Sequence, residues 1–191
     1  KICWKRENTC LMNKSVYASP DQVSETKRHI LTVLVDNEPG VLARVIGMFS
    51  GRGYNIDSLN VAEVSNDENL SRITIVTHGT SEVVNQIEKQ LLRIVPVHSV
   101  TNLDQEGDSV EAEVALVYIY ISESNKKKVY QVCDFYRARK IENENNTTIF
   151  EIAGASDRVN RFIKEINEIT KIEIVRSGPV AISSILKNEE E

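Results

Sequence analysis

From His29 to Leu59 the residues leave the backbone few choices, because three kinds of structural signal follow one another without a gap. Ile30 to Val35 is an apolar run that reads as a strand. Asp36-Asn37-Glu38-Pro39-Gly40 stops it, and Val41, Leu42, Val45, Ile46 and Phe49 then recur at helical spacing. Gly51 and Gly53 close that helix, since a left-handed cap residue is least costly without a Cβ, and Asn55-Ile56 opens the next extended segment. The turn and the helix start form a small polar pocket. Pro39 has no amide proton, whereas Gly40, Val41 and Leu42 each have one, and orphan N–H groups at the positive end of a helix suit a carboxylate.

The same alternation of strand and helix continues to residue 103. Strands are expected at about 55 to 64 and 70 to 78, joined through the turn formers Ser65-Asn66-Asp67-Glu68-Asn69. A second helix follows, capped by Thr80 or Ser81, with Glu82 at its positive end, Val84, Ile87, Leu91 and Ile94 on one face, and Lys89 and Arg93 near its end. Pro96 starts the last strand, where a missing amide is tolerated. Residues 28 to 103 thus read as a βαββαβ, ferredoxin-like unit, with helices on one sheet face and the other face free for a second copy.

Residues 104 to 112 are acidic and contain a glycine, which reads as a linker. Beyond it the order repeats from 113 to 183: strand 114 to 121, helix about 124 to 138, strand 139 to 144, a turn at Asn145-Asn146, strand 147 to 153, helix 156 to 169 and strand 171 to 176. Val159, Phe162, Ile163, Ile166 and Ile169 mark the second of these helices. The fold class is therefore α+β, two ferredoxin-like units of the same order without sequence identity between them. Residues 1 to 27 form a polar extension whose first twenty positions carry Lys1, Lys5, Arg6 and Lys14 against Glu7 alone. That composition resembles an organelle transit remnant, which would place the protein in a plastid or mitochondrion; read as an ordinary tail, it leaves a cytoplasmic location. Residues 184 to 191 are expected to fray.

Composition argues against several classes of function. A net charge of −5 offers no general attraction for phosphate backbones, and the strand Ser71 to Thr77 lacks stacking aromatics, so nucleic acid is not an expected partner. No apolar run approaches the ~20 residues of a membrane span. Cys3, Cys10 and Cys133 are odd in number and lack a Cys-x-x-Cys spacing, which disfavours a disulfide framework or a zinc site. Cys133 falls on the apolar side of its helix with Val129, Val132 and Tyr136 and is read as core.

His29, His78 and His98 have no metal-binding spacing, and Gly51-Arg-Gly53 ends a helix instead of opening one, with Ile56 where a third glycine would stand. Neither a phosphate-binding loop nor a nucleophile elbow occurs, so cofactor-driven catalysis by this chain is not expected. What remains is the pocket. An amino acid is a zwitterion: its carboxylate suits the amides of Gly40, Val41 and Leu42, while Asn37 and Asn55, neutral donors and acceptors both, suit its ammonium and carboxylate. The same asparagines also serve as ordinary turn formers, and spacing alone does not separate the two roles. Gly47, in mid-helix, is explained either by close packing inside the chain or by the approach of another molecule.

The order of Asp36-Asn-Glu-Pro-Gly-Val-Leu42, Arg44-Val-Ile-Gly-Met-Phe49, Arg52-Gly-Tyr-Asn-Ile-Asp-Ser-Leu59 and Leu70-Ser-Arg-Ile-Thr-Ile75 resembles the regulatory (small) subunit of acetolactate synthase, whose N-terminal half is an ACT domain. A looser likeness covers Glu113 to Ser183, through Ile152-Ala-Gly154 and Arg176-Ser-Gly178. The resemblance implies a non-catalytic chain in which the positions of Asn37, Gly40 and Asn55 bind the feedback inhibitor valine, flanked by Val41, Leu42 and Ile56. It implies a homodimer in which the loop of one subunit and the Asn of the other enclose the effector. It also implies a partner, the separate catalytic (large) subunit, which carries thiamine diphosphate, Mg²⁺ and FAD, none of them expected in this chain. The free β-face and the surroundings of Arg72 are the surfaces considered for that partner. The alternatives are an ACT-type amino-acid sensor acting on a transcriptional or different metabolic partner, and a small standalone enzyme.

Overall fold

The computed structural model describes residues 25–65, 67, 69–104, 109–144 and 147–184. Outside them lie most of the N-terminal extension, with Cys3, Cys10 and any transit segment, the Asn145-Asn146 turn, parts of the 65–69 turn and of the acidic stretch, and nearly all of the C-terminal tail.

The first unit is β1 (Lys27–Asp36), α1 (Val41–Arg52), β2 (Ser58–Ser65), β3 (Leu70–Gly79), α2 (Ser81–Leu91) and β4 (Val97–Asn102). Its strands form an antiparallel sheet of order β2-β3-β1-β4, with Val33 opposite Ile73 at the centre. Alternation in β1 and β3 turns Leu31, Val33, Val35, Ile73 and Ile75 to one face, where Val41, Val45 and Phe49 of α1 and Val84, Ile87 and Leu91 of α2 complete a core. Thr80 caps α2, accepting from the Val83 amide at 3.4 Å. Ile94 and Arg93 lie past the end of α2, although Ile94 still packs on the core.

The second unit repeats the plan with β5 (Ser109–Tyr120), α3 (Lys126–Phe135), β6 (Arg139–Glu144), β7 (Thr147–Gly154), α4 (Ser156–Ile169) and β8 (Ile172–Arg176), in the order β6-β7-β5-β8. Its core joins Ala115, Val117, Ile119, Phe150 and Ile152 to Val129, Cys133, Val159, Phe162 and Ile166. The fold class is α+β, as expected from the alternating order of elements. Helix α3 is shorter than the periodicity suggests: Arg137 takes the left-handed conformation (φ 51°), and Ala138 N–H turns back to Cys133 O at 2.8 Å.

Two expectations are corrected. The acidic stretch 104–112 is not a linker throughout, because β5 begins at Ser109 and pairs there with β9 (Val180–Ser183), a strand not foreseen at all. Val110 and Ala112 alternate with Ser109 and Glu111 as a strand requires, but the density of acids hides the pattern. Nor is the second face of the first sheet free. Ile30 and Val76 on that face bury against Leu103 and Ala181 of β9, so the chain itself covers part of it.

Cys133 is 1% exposed, and burial pushes its thiol up to about 12. The neutral thiol therefore favours the folded state fully below the unfolded thiol's range, and this contribution is lost as pH rises toward the folded value. With Cys3 and Cys10 changed to serine, Cys133 is expected to resist a disulfide reagent at about pH 9 until denaturant is added, because only the thiolate attacks. Prompt reaction of the folded protein contradicts this burial.

Candidate functional site

The Asp36–Leu42 turn is built from its backbone. Asn37 N–H donates to Asn69 O at 2.7 Å and Glu38 N–H to Asp36 O at 3.0 Å, pinning the turn against the start of β3. Gly40 takes φ 88°, a value that L side chains rarely adopt, and precedes α1 without any side-chain cap. Val41 N–H reaches Glu38 O at 3.4 Å, so the turn itself draws on one of the three amides, weakly, and Arg44 N–H to Gly40 O at 3.1 Å begins the helix ladder. The Asn37 side chain is exposed and Leu42 is 37% exposed, whereas Val41 is buried in the core. Asp36, at the start of the turn, faces His98 (Oδ1 to Nε2, 2.5 Å).

Asn55 and Ile56 stand at the other end of α1. Gly53 ends the helix in the left-handed conformation (φ 70°), and its N–H is satisfied by Ser50 O. Asn55 O accepts from Thr77 Oγ1 at 2.6 Å, and its Nδ2 donates to Asp57 Oδ1 at 2.7 Å, leaving the side-chain oxygen and one N–H for other partners. Ile56 rests on the core. Since α1 has 12 residues, these two groups of candidates are separated by about 18 Å of helix rise. One copy of the chain brings Asn37, Gly40, Val41 and Leu42 together and does not bring Asn55 and Ile56 to them. Along the helix between the two ends, a Cβ added at Gly47 meets nothing within 4 Å, so close packing inside the chain does not account for that glycine.

Other chemistry is sparse. His78 Nδ1 pairs with Asp57 Oδ2 at 2.5 Å, and among the described residues no cluster of three or more His, Cys, Asp or Glu is placed to hold a metal ion. Two recesses lie between the units. An apolar one of about 340 Å³ is lined by Ala62, Val64, Val110, Val180 and Ile182, with Arg72 at its edge; a polar one of about 530 Å³ is lined by Arg28, Asp57, His78, Arg176 and Gly178.

Residues 31–99 match the family model described as an AHAS small subunit-like ACT domain, and residues 112–185 match the small subunit of acetolactate synthase. The acetolactate synthase isozyme 3 small subunit of Salmonella typhimurium is 43% identical over 157 residues, covering 82% of this chain and 95% of that protein. The chain belongs to the acetolactate synthase small-subunit family. A probable acetolactate synthase small subunit of Archaeoglobus fulgidus is 36% identical over 155 residues, covering 81% of this chain and 96% of that one. The crystal structure of the acetolactate synthase small subunit from Thermotoga maritima superposes with a TM-score of 0.73 at 35% identity, covering 82% of this chain and 96% of that one.

Sequence reasoning about this small-subunit chain missed the contacts that lead away from Asn55. The sequence placed His78 at a strand end and gave Asp57 no role, and no linear signal pairs them. Gly178-Pro179 and the strand that follows it, Val180–Ser183, were not foreseen, because four residues beyond a turn carry no periodicity and their partner lies in β5. Replacing Gly40 by alanine is expected to cost about 1–2 kcal/mol, the ordinary penalty for a Cβ in left-handed backbone, since the added atom meets nothing within 4 Å. Chemical denaturation measures it, and a loss near zero would mean that the turn relaxes out of that conformation.

Proposed function

We propose that this chain is the regulatory subunit of acetolactate synthase: it has no active site, raises the activity of a separate catalytic chain, and confers inhibition by valine. Thiamine diphosphate, Mg²⁺ and FAD belong, on this reading, to the catalytic chain. The observation that carries it is the division of the candidate pocket between the two ends of α1. A carboxylate at the Gly40 turn and an asparagine about 18 Å away along the helix serve one ligand only if a second copy supplies the far half. Two chains related by a two-fold axis set the Asn37–Leu42 turn of each against Asn55 and Ile56 of the other. The open surface at Gly47 supports an approach of that kind, because no side chain stands in its way.

In such a dimer, valine presents its carboxylate to the helix N-terminus and its ammonium to the asparagine oxygens, groups that add no net charge to the pocket. Inhibition then requires that valine prefer one arrangement of the two-subunit complex, with a coupling of about 1–3 kcal/mol being typical.

Valine at a hundredfold excess over its dissociation constant stabilises a binding protein by about 2.7 kcal/mol, which a melting curve registers. Asn37→Ala and Asn55→Ala are each expected to abolish the valine-induced rise in Tm while leaving the ligand-free curve close to wild type, since both side chains are exposed. Variants that respond to valine as wild type does would overturn the pocket. Failure of the wild-type protein to alter pyruvate condensation by the catalytic chain would overturn the regulatory role.

A further inference from the structure

We infer that Gly178 is the positioning residue of an internal joint through which occupancy of the Asn55 half of the pocket reaches the second unit. The inference rests on the function proposed above and adds to it a route. Three residues beyond Asn55, the chain enters β2, and the segment between is tied down at each step: Asn55 Nδ2 donates to Asp57 Oδ1, Asp57 Oδ2 pairs with His78 Nδ1, and Asp57 N–H donates to Val76 O at 2.8 Å. Ser58 follows at once. Ser58 and Asn60 lie on one face of β2, and there they meet the loop Ser177–Pro179 of the second unit.

The fit at that joint is close. Gly178 has φ 74°, and a Cβ built on it would stand 2.0 Å from Ser58 Oγ and 3.1 Å from Asn60 Nδ2, while Asn60 Nδ2 donates to Pro179 O at 2.9 Å. Only glycine satisfies both the backbone and the space. On its other side the loop is fastened to β5: Ser177 N–H donates to Val114 O at 2.9 Å and Val114 N–H to Ser177 Oγ at 3.1 Å. Arg176 ties the same loop to the buried carboxylate of Glu113 and to Asn160 of α4. A displacement of the 55–58 segment therefore pushes on a loop braced against the sheet and helix of the second unit. The polar recess of about 530 Å³ beside the joint leaves room for the loop to move. This contiguity of contacts is the warrant, and the coupling itself is a measurable quantity.

The test separates binding from coupling. The inference expects the catalytic subunit to change the affinity of wild-type small subunit for valine, and by reciprocity valine to change the affinity for the catalytic subunit by the same factor, typically about 5- to 150-fold. Gly178→Ala is expected to leave valine affinity of the small subunit alone within about twofold, as read by calorimetry, and to bring the factor caused by the catalytic subunit down toward one. Ser58→Ala removes the clashing oxygen, so the double variant Gly178→Ala with Ser58→Ala should recover part of the factor. Amide hydrogen exchange at Ser177, residue 178 and Val180 should respond to valine in wild type and not in Gly178→Ala. If Gly178→Ala folds, binds valine and keeps both the full factor and the exchange response, the joint is not the route. Should Gly178→Ala fail to fold, Asn60→Ala, which deletes the bond to Pro179, is read in the same way. Absence of valine binding by the wild-type complex would instead remove the proposed function, and this inference with it.

Discussion

The seating of α1 on its sheet is the constraint from which the remaining geometry follows. Val41, Val45 and Phe49 bury one stripe of the helix against Leu31, Val33, Val35, Ile73 and Ile75, so neither helix end can move without disturbing a close-packed core. A turn with exposed polar groups is thereby held at one end and an asparagine at the other, at a separation set by helix rise. Rigidity of this kind fixes which polar groups each end of the helix presents to solvent. It also explains why the polar residues at the two ends are surface residues while Val41, Val45 and Phe49 between them are not.

A second constraint is the length of β5. Its C-terminal part pairs with β7 and β8 in the second sheet, and its first residues, Ser109 to Ala112, pair with β9 instead. The β5–β9 ribbon lies against the outer face of the first sheet through Ala181, and Arg28 at the start of β1 meets Glu111 at 2.6 Å. The units are consequently not beads on a flexible tether: strand hydrogen bonds run continuously from one into the contact surface of the other. An apolar sheet face that a lone ferredoxin-like unit would leave to solvent or to a partner is here shared between the chain's own ribbon and an open recess.

Local signals carried the fold a long way. Helix α2 was legible in its cap, its apolar face and its charges, and α4 in its stripe, since each of these rests on interactions within a few residues. Where competing effects met, linear reading failed. The acids between Asp104 and Glu113 argued for solvent exposure, yet Glu113 is buried against Arg176, sixty-three positions away, a pairing that periodicity has no means to register. Helix α3 looked longer than it is because Tyr136 and Ala138 fit the helical pattern, while a left-handed residue between them stops the ladder.

The candidate site divides along the same line. That a turn with free backbone amides leads into a helix at Asn37 to Leu42 follows from the order of residues alone, because a glycine before a helix and the orphan amides after it are properties of local backbone. Which residues share a site with that turn, which face of the sheet remains open and what Asn55 touches were decided only by tertiary packing. The physical reason is range: capping, turn chemistry and amphipathic spacing act over three or four residues, whereas the pairing of Asp57 with His78, the bond from Thr77 to Asn55 O, and the seating of Gly178 on Ser58 depend on strands brought together by burial of their other faces.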